Sequence, residues 1–397
     1  MTDNSDFFAE KEVLLFGETD YKEKLSTKVV FGSLSYSVQT AVKGADSAVV
    51  FCREKDFAAA KKIFAVILGE GKRAKIITLP KAPATDDVII LLNGASVMIA
   101  VGEEDVISFA KAVCARAGIS LAVAYSSCRA FGAFSDKTPC GSEGKAPDYL
   151  LVSEEFYSLS TKQLMAETFG QVVSSLIDVI DYKVAVLKNA VPYDKVALNF
   201  LLDAANVALL NKKFTSDKEA LLFASLKIAI LKEVSRIFDY SAVEKTAEYL
   251  GEQFPFGERR YRAFKVLVGL YSLYLRSDIS SLYITPDYLK ASKEISEFLS
   301  LDECEVVKTL AKFQTDKDIE ANAKLKGVAR HAFLSDLDAI SLKTNRIDEI
   351  YRYLYGGRKK LADILCEDMK KAIKATAYTT ENNLLAMSRA DGFSEYI

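Results

Sequence analysis

The stretch 97-VMIAVGEEDVISFAKAVCARAGISLAVAYSS-127 decides the fold of this chain. Residues 97–101 are apolar throughout and stop at Gly102, the pattern of a short strand buried on both faces. Val106, Phe109, Ala110, Val113 and Cys114 then recur at helical spacing, and residues 121–124 form the next apolar run. Strand, helix and second strand make a βαβ unit, which requires a parallel sheet. In such units the helix N-terminus offers unpaired N–H groups and a positive dipole end to an anion, often a dinucleotide pyrophosphate. Here the turn reads Gly102-Glu103-Glu104-Asp105, so three carboxylates stand where a phosphate site wants small residues.

Outward from that unit the alternation continues. Residues 48–52, 56–68 and 74–79 read as strand, amphipathic helix and strand, a second βαβ unit. Residues 29–31 read as a strand ending at Gly32, with a polar helix over 37–42 behind it. The run VIILLNGA after Asp86-Asp87 suits a short buried helix or a strand equally well, and 150–153 reads as a final strand. Beyond that, strand signals fade. Ser160 and Gln163, at capping-box spacing, predict a helix start. Helical periodicity then recurs over 196–212, 218–238, 242–253, 258–275, 287–298, 302–313, 319–325, 347–354 and 359–374, with breaks at Pro192, Pro255, Pro286 and Gly356-Gly357. These shifts predict a Rossmann-like α/β domain over residues 1–155 and an all-helical domain over 156–397.

Bulk composition narrows the function classes. The chain has 397 residues, half of them hydrophobic, and 52 basic against 54 acidic residues give a net charge of −2. This balance gives no footing to a nucleic-acid binder. The start, MTDNSDFFAEKEV, is acidic and unlike a signal peptide, and no apolar run approaches the roughly 20 residues of a membrane span, so a cytoplasmic protein without membrane partners is expected. The six cysteines, Cys52, Cys114, Cys128, Cys140, Cys304 and Cys366, show no CxxC spacing and read as reduced residues, with Cys128 and Cys140 the candidates for a reactive thiol. One histidine, His331, rules out any mechanism that needs two imidazoles in one subunit.

The order of these elements and several stretches resemble the dehydroquinate synthase-like superfamily, which includes iron-containing alcohol dehydrogenases and glycerol dehydrogenases, and within it the bacterial glycerol-1-phosphate dehydrogenases. The central stretch looks like the superfamily's strand, glycine turn, Asp-x-x-Lys helix and following strand. The segment 166-AETFGQVVSSLIDVIDYKV-184 looks like the one that opens the helical domain. SAVEKTAEYL from Ser241 and FGERRYRAFKVLVGLYSLYL from Phe256 look like the helices that supply metal-binding histidines. The resemblance implies a dehydroquinate synthase-like fold, a nicotinamide cofactor and one divalent ion held by an Asp and two His.

Carried over residue by residue, those positions have changed. Of the cofactor turn, Gly102 remains while Glu103, Glu104 and Asp105 replace small residues; the helix aspartate is Ser108, and Lys111 remains. The metal Asp falls on Gln171, the first His on Glu244 or Lys245, and the second on Phe256. A catalytic ion needs three good protein ligands and an open position, which this set does not supply. Glu244, Glu248 and Glu252 recur on one helical face near Glu258, as an oxygen-ligand site or a solvent face. Arg259, Arg260 and Arg262 form a candidate anion site or the polar side of their helix.

The expectation is therefore a catalytically degenerate relative with no catalytic residue and no cofactor, acting in binding, regulation or assembly. It would work with a small-molecule ligand, as a homodimer or with an active paralogue. Two alternatives stay open. One is an active NAD(P)-dependent glycerol-1-phosphate-type dehydrogenase with a rewired divalent-metal site. The other is a binder of a small phosphorylated metabolite in an interdomain cleft.

Overall fold

The computed structural model describes residues 4–80, 84–137, 144–209, 217–277, 287–312, 325, 329–355, 366–390 and 393. In chain order the elements of the first half are α1 (Asn4–Phe16), α2 (Tyr21–Lys24), β1 (Lys28–Phe31), α3 (Leu34–Ala41), β2 (Ser47–Cys52), α4 (Phe57–Gly69), β3 (Arg73–Thr78), α5 (Thr85–Leu92), β4 (Val97–Gly102), α6 (Glu104–Ala117), β5 (Ser120–Tyr125), β6 (Tyr149–Val152) and α7 (Glu154–Tyr157). The helices that follow are α8 (Lys162–Leu187), α9 (Lys195–Leu209), α10 (Lys218–Val234), α11 (Ala242–Tyr249), α12 (Phe256–Arg276), α13 (Tyr288–Leu299), α14 (Glu303–Lys312), α15 (Arg330–Leu354), α16 (Glu367–Thr379) and α17 (Leu384–Ala390). The expected helix over 319–325, apart from Leu325, lies outside the described residues, as do Pro286, Gly356-Gly357 and Cys140.

The chain divides into two compact units, Met1–Thr168 with Leu210–Val234, and Phe169–Leu209 with Ser235–Ile397. The division falls inside α8 rather than at residue 155, and α10 belongs with the sheet. That membership rests on contacts distant in sequence. Phe223 of α10 stacks on Phe31 of β1 at 5.9 Å, and buried Lys227 donates to the Leu15 carbonyl at 3.0 Å.

In the first unit six parallel strands run in the order β1-β6-β5-β4-β2-β3. Every residue of β4 is buried, as its unbroken apolar run requires. Val50, Cys52, Ile99 and Val101 join Leu34, Val38, Ile63 and Ile67 of α3 and α4 in one cluster. On the opposite face Phe51 stacks on Phe109 of α6 at 5.8 Å. The ambiguous VIILLNGA run is helix α5, with Val88 and Leu92 buried and Ile90 and Leu91 exposed. Thr161, not Ser160, caps α8, since Thr161 Oγ1 accepts from Leu164 N. Ser160 is occupied in the loop before the helix, accepting from Cys128 N and donating to the Tyr157 carbonyl.

Gly102 makes the strand-to-helix turn with φ +157°, and a Cβ there would stand 2.8 Å from Val106 Cγ2. Gly102→Ala should therefore cost about 1–3 kcal/mol through clash and backbone strain, read as a lower urea midpoint with an unchanged slope.

The second unit is helical in its described residues. Its centre is the part of α8 from Phe169 onward, buried nearly all round. Among the apolar residues of that helix sit Ser174, Ser175, Asp178 and Asp181, all fully buried.

Candidate functional site

In the sheet unit, β2 leads through α4 to β3 on one side, while its other neighbour β4 leads through α6 to β5. Right-handed crossovers in opposite directions place the following helices on opposite faces, so the carboxyl ends of β2 and β4 form the switch-point crevice where open α/β sheets bind ligands. Residues 53–56 follow one strand and 103–105 the other, and the two segments are joined by ion pairs. Arg53 Nη2 lies 3.0 Å from Asp105 Oδ2, and Arg53 Nη1 donates to the Pro80 carbonyl at 2.7 Å. Lys55 Nζ pairs with Glu103. Both pairs are partly exposed, so each contributes roughly 0.2–1 kcal/mol.

Glu104, the first residue of α6, points the other way, toward the end of β5. Its Oε2 accepts from the Tyr125 hydroxyl at 3.2 Å, and a Cβ on Gly132 would overlap its Oε1. Lys111, fully buried, donates to the Gly132 carbonyl at 2.5 Å. Burial pushes its ammonium pKa down against the attraction of Glu104. Glu103, at the N-cap of α6, makes no side-chain cap hydrogen bond. Asp56, in the turn after β2, is also nearly buried. Burial raises its pKa, helped by Glu103 and Asp105 and opposed by a hydrogen bond to Ser126 and by Lys55.

In the helical unit, one of the three positions expected for metal ligands, Glu244, is held by a buried arginine. Arg260, 2% exposed, sends Nη1 to Glu244 Oε2 at 2.7 Å, Nη2 to Asp178 Oδ2 at 3.2 Å and Nε to Ser174 Oγ at 2.9 Å. Ser174 Oγ in turn donates to the Gln171 carbonyl at 2.8 Å, and the Phe256 ring centroid lies 6.0 Å from the Arg260 guanidinium carbon. Glu244 is therefore engaged by a cation the protein itself supplies. Gln171 and Phe256 offer an amide and a phenyl ring, and neither is a good ligand for a divalent ion. Among the described residues no group of three or more His, Cys, Asp or Glu side chains could hold a metal.

The row Glu244, Glu248 and Glu252 does not converge either: Glu248 pairs with Lys245 at 2.9 Å, and Glu258 is buried against Arg262 and the Tyr355 hydroxyl. The three arginines are likewise spent singly. Arg260 is internal, Arg262 pairs with Glu258 at 2.7 Å, and Arg259 donates to the Ala247 carbonyl at 2.9 Å beside the Phe256 ring. His331 is exposed on α15. Cys128, a candidate reactive thiol by sequence, is fully buried, and burial raises its pKa, so it is no nucleophile.

Two cavities stand out. One, about 520 Å³, lies at the carboxyl ends of β1 and β6 and is lined by Lys11, Phe31, Tyr157, Glu154, Glu155 and Glu219 among others. The other, about 450 Å³, lies beside the N-terminus of α11, with Asp239, Glu244, Glu248 and Glu381 facing Lys245. Carboxylates outnumber ammonium groups in both, a poor lining for a phosphorylated ligand.

A parallel six-stranded α/β unit with a helical unit is the architecture of the dehydroquinate synthase-like dehydrogenases. Over 94% of its length the chain superposes on 98% of an alcohol dehydrogenase from Oenococcus oeni, with a TM-score of 0.57 and 11% identity. A sulfoacetaldehyde reductase from Bifidobacterium kashiwanohense in complex with NAD+ matches with a TM-score of 0.56 and 12% identity, covering 94% of this chain and 97% of that one. For a probable glycerol dehydrogenase from Sinorhizobium meliloti 1021 the values are 0.53 and 13%, with 94% and 98% covered. No protein-family model and no curated protein sequence matches the chain. Likeness at this identity speaks for fold; function has to be argued from the site.

Proposed function

We propose that this chain keeps the scaffold of metal- and nicotinamide-dependent polyol dehydrogenases without their redox chemistry. It works by binding, as a regulatory or assembly protein, as a homodimer or beside an active paralogue of the glycerol-1-phosphate type, in the cytoplasm. The observation that carries this reading is the state of the switch-point crevice. Glu103 and Asp105 are tied across it to Lys55 and Arg53, while Glu104 is folded against Tyr125 and Gly132. A diphosphate entering there would break two ion pairs. It would also meet like charge, at about 1 kcal/mol per contact in water and about 4 at the lower effective dielectric of a cleft. The helical unit supports the same reading, because the Gln171, Glu244 and Phe256 set does not fit the divalent ion that would stabilise an alkoxide.

Isothermal titration of NADH and NADPH into purified protein, beside metal analysis of the same preparation, tests the proposal. The expected outcome is no binding heat at millimolar dinucleotide and far less than one zinc, iron or nickel per chain. Micromolar binding with a stoichiometric metal, or chelator-sensitive reduction of a nicotinamide by glycerol or its phosphate, overturns it.

A further inference from the structure

The three polar contacts of Arg260 do more than leave a metal site without ligands. They tie α12 to α8 through Ser174 and Asp178, and to α11 through Glu244. The network extends to the start of α11, where Ser241 Oγ donates to Asp178 Oδ1 at 2.6 Å and accepts from Glu244 N at 3.0 Å. Of the three expected ligand positions, Glu244 meets this guanidinium directly, and Phe256 lies one helical turn before it with its ring centroid 6.0 Å away. A delocalised cation bridging two carboxylates on different helices supplies the structural cross-link that a divalent ion between helices would supply, without its Lewis acidity. A guanidinium fork is also the side chain best shaped for that task.

We propose that Arg260 is a built-in cation standing in for the divalent ion of metal-dependent dehydrogenases, so that the helical unit holds these three helices together without metal. The surroundings fit a permanent cation. Asp178 and Ser174 are fully buried, Arg260 is 2% exposed, and the Glu244 side chain is 26% exposed. A buried arginine persists only where carboxylates and hydroxyls satisfy it. This inference rests on the reading that the ligand positions no longer take a metal. It is independent of the argument from the dinucleotide crevice.

Thermal unfolding of three forms of the full chain tests it. For the wild type, Tm is expected to stay within about 1 °C with EDTA or with millimolar Mn2+ or Zn2+, since ligand stabilisation requires a site. Arg260→Ala takes the one cation in this network away from the buried Asp178 carboxylate and is expected to lower Tm by about 10 °C. Guanidinium chloride at a few millimolar, far below denaturing levels, should restore several degrees to that variant, and equal sodium chloride should not. Arg260→Lys keeps the charge but not the fork, and its Tm is expected between the other two; it also serves as the readout should the alanine variant fail to fold. A wild-type Tm that falls with EDTA or rises with added metal overturns the proposal. So does an Arg260→Ala variant with unchanged Tm, or one indifferent to guanidinium. Nicotinamide binding by a wild type whose Tm ignores metal would sink the functional reading and leave the Arg260 assignment standing.

Discussion

Asp181→Ala is expected to cost about 3–5 kcal/mol of stability, visible as a fall in the urea midpoint or as failure to accumulate folded protein. The carboxylate is fully buried on α8 and accepts three hydrogen bonds: Ala242 N at 2.9 Å, Tyr271 Oη at 2.8 Å and Leu384 N at 3.1 Å. Two of these donors are the first amides of α11 and α17, groups with no partner inside their own helices. Removing the acceptor leaves three buried donors unsatisfied, each at about 1–3 kcal/mol, and a void where the carboxylate stood. The same group gives stability a pH dependence. Burial, with Asp178 one turn away adding to it, pushes the Asp181 pKa up to about 7, against the hydrogen bonds that favour the charged form. An unfolded aspartate titrates near ~3.9. A pKa raised on folding means that the folded state binds the proton more tightly, so this contribution is complete below about pH 4 and is lost as pH rises through 7. Unfolding curves of wild type and Asp181→Asn, taken between pH 5 and pH 8, should draw apart on that slope. A difference between them that stays constant with pH would refute the assignment.

The second large effect is expected at Gly170. A Cβ there would lie 2.6 Å from the Gly257 carbonyl oxygen and 3.2 Å from both Tyr261 Cβ and Tyr351 Cε2. The obstacle is backbone, which cannot rotate away, and the Tyr261 and Tyr351 rings already stack at 3.8 Å. Gly170→Val should therefore force α8 and α12 apart at about 3 kcal/mol, while Gly170→Ala should cost less but still lower Tm measurably. Gly269, on the same α12, has nothing within 4 Å of its missing Cβ, so Gly269→Ala is the internal control and should be neutral or mildly stabilising. An alanine at 170 as harmless as the one at 269 would show that the close approach does not matter.

Most of the sheet was legible in the sequence because its strands are short, largely apolar runs, with β1 and β4 stopping at Gly32 and Gly102 and β3 shortly before Pro80, and its helices carry a 3.6-residue period. Gly102 and the residues after it could be read as an acidic turn from four letters alone. What could not be read is where those carboxylates go. Their partners Arg53 and Lys55 lie about fifty positions earlier and meet them only because β2 and β4 are neighbours in the sheet. The same holds for α10, whose apolar face reads as a member of a helical domain although Phe223 and Lys227 pack into the sheet unit. At the expected metal positions the substitutions were visible, but Arg260 read as one of three arginines on a polar face. One sequence signal could have separated it. Ser174, Asp178 and Asp181 stand at spacings of four and three among the apolar residues of α8, and a buried acid on one helix asks for a cation on the next.

The arginine also bears on how an ion site could be engineered into this unit. A histidine introduced at 256 would, by itself, bring a new ligand beside a resident positive charge that repels any incoming metal. Removing Arg260 would leave the Asp178 and Glu244 carboxylates without the guanidinium that bridges them. Neither change alone makes an ion site, so building one into this unit would take new ligands and the loss of the guanidinium together.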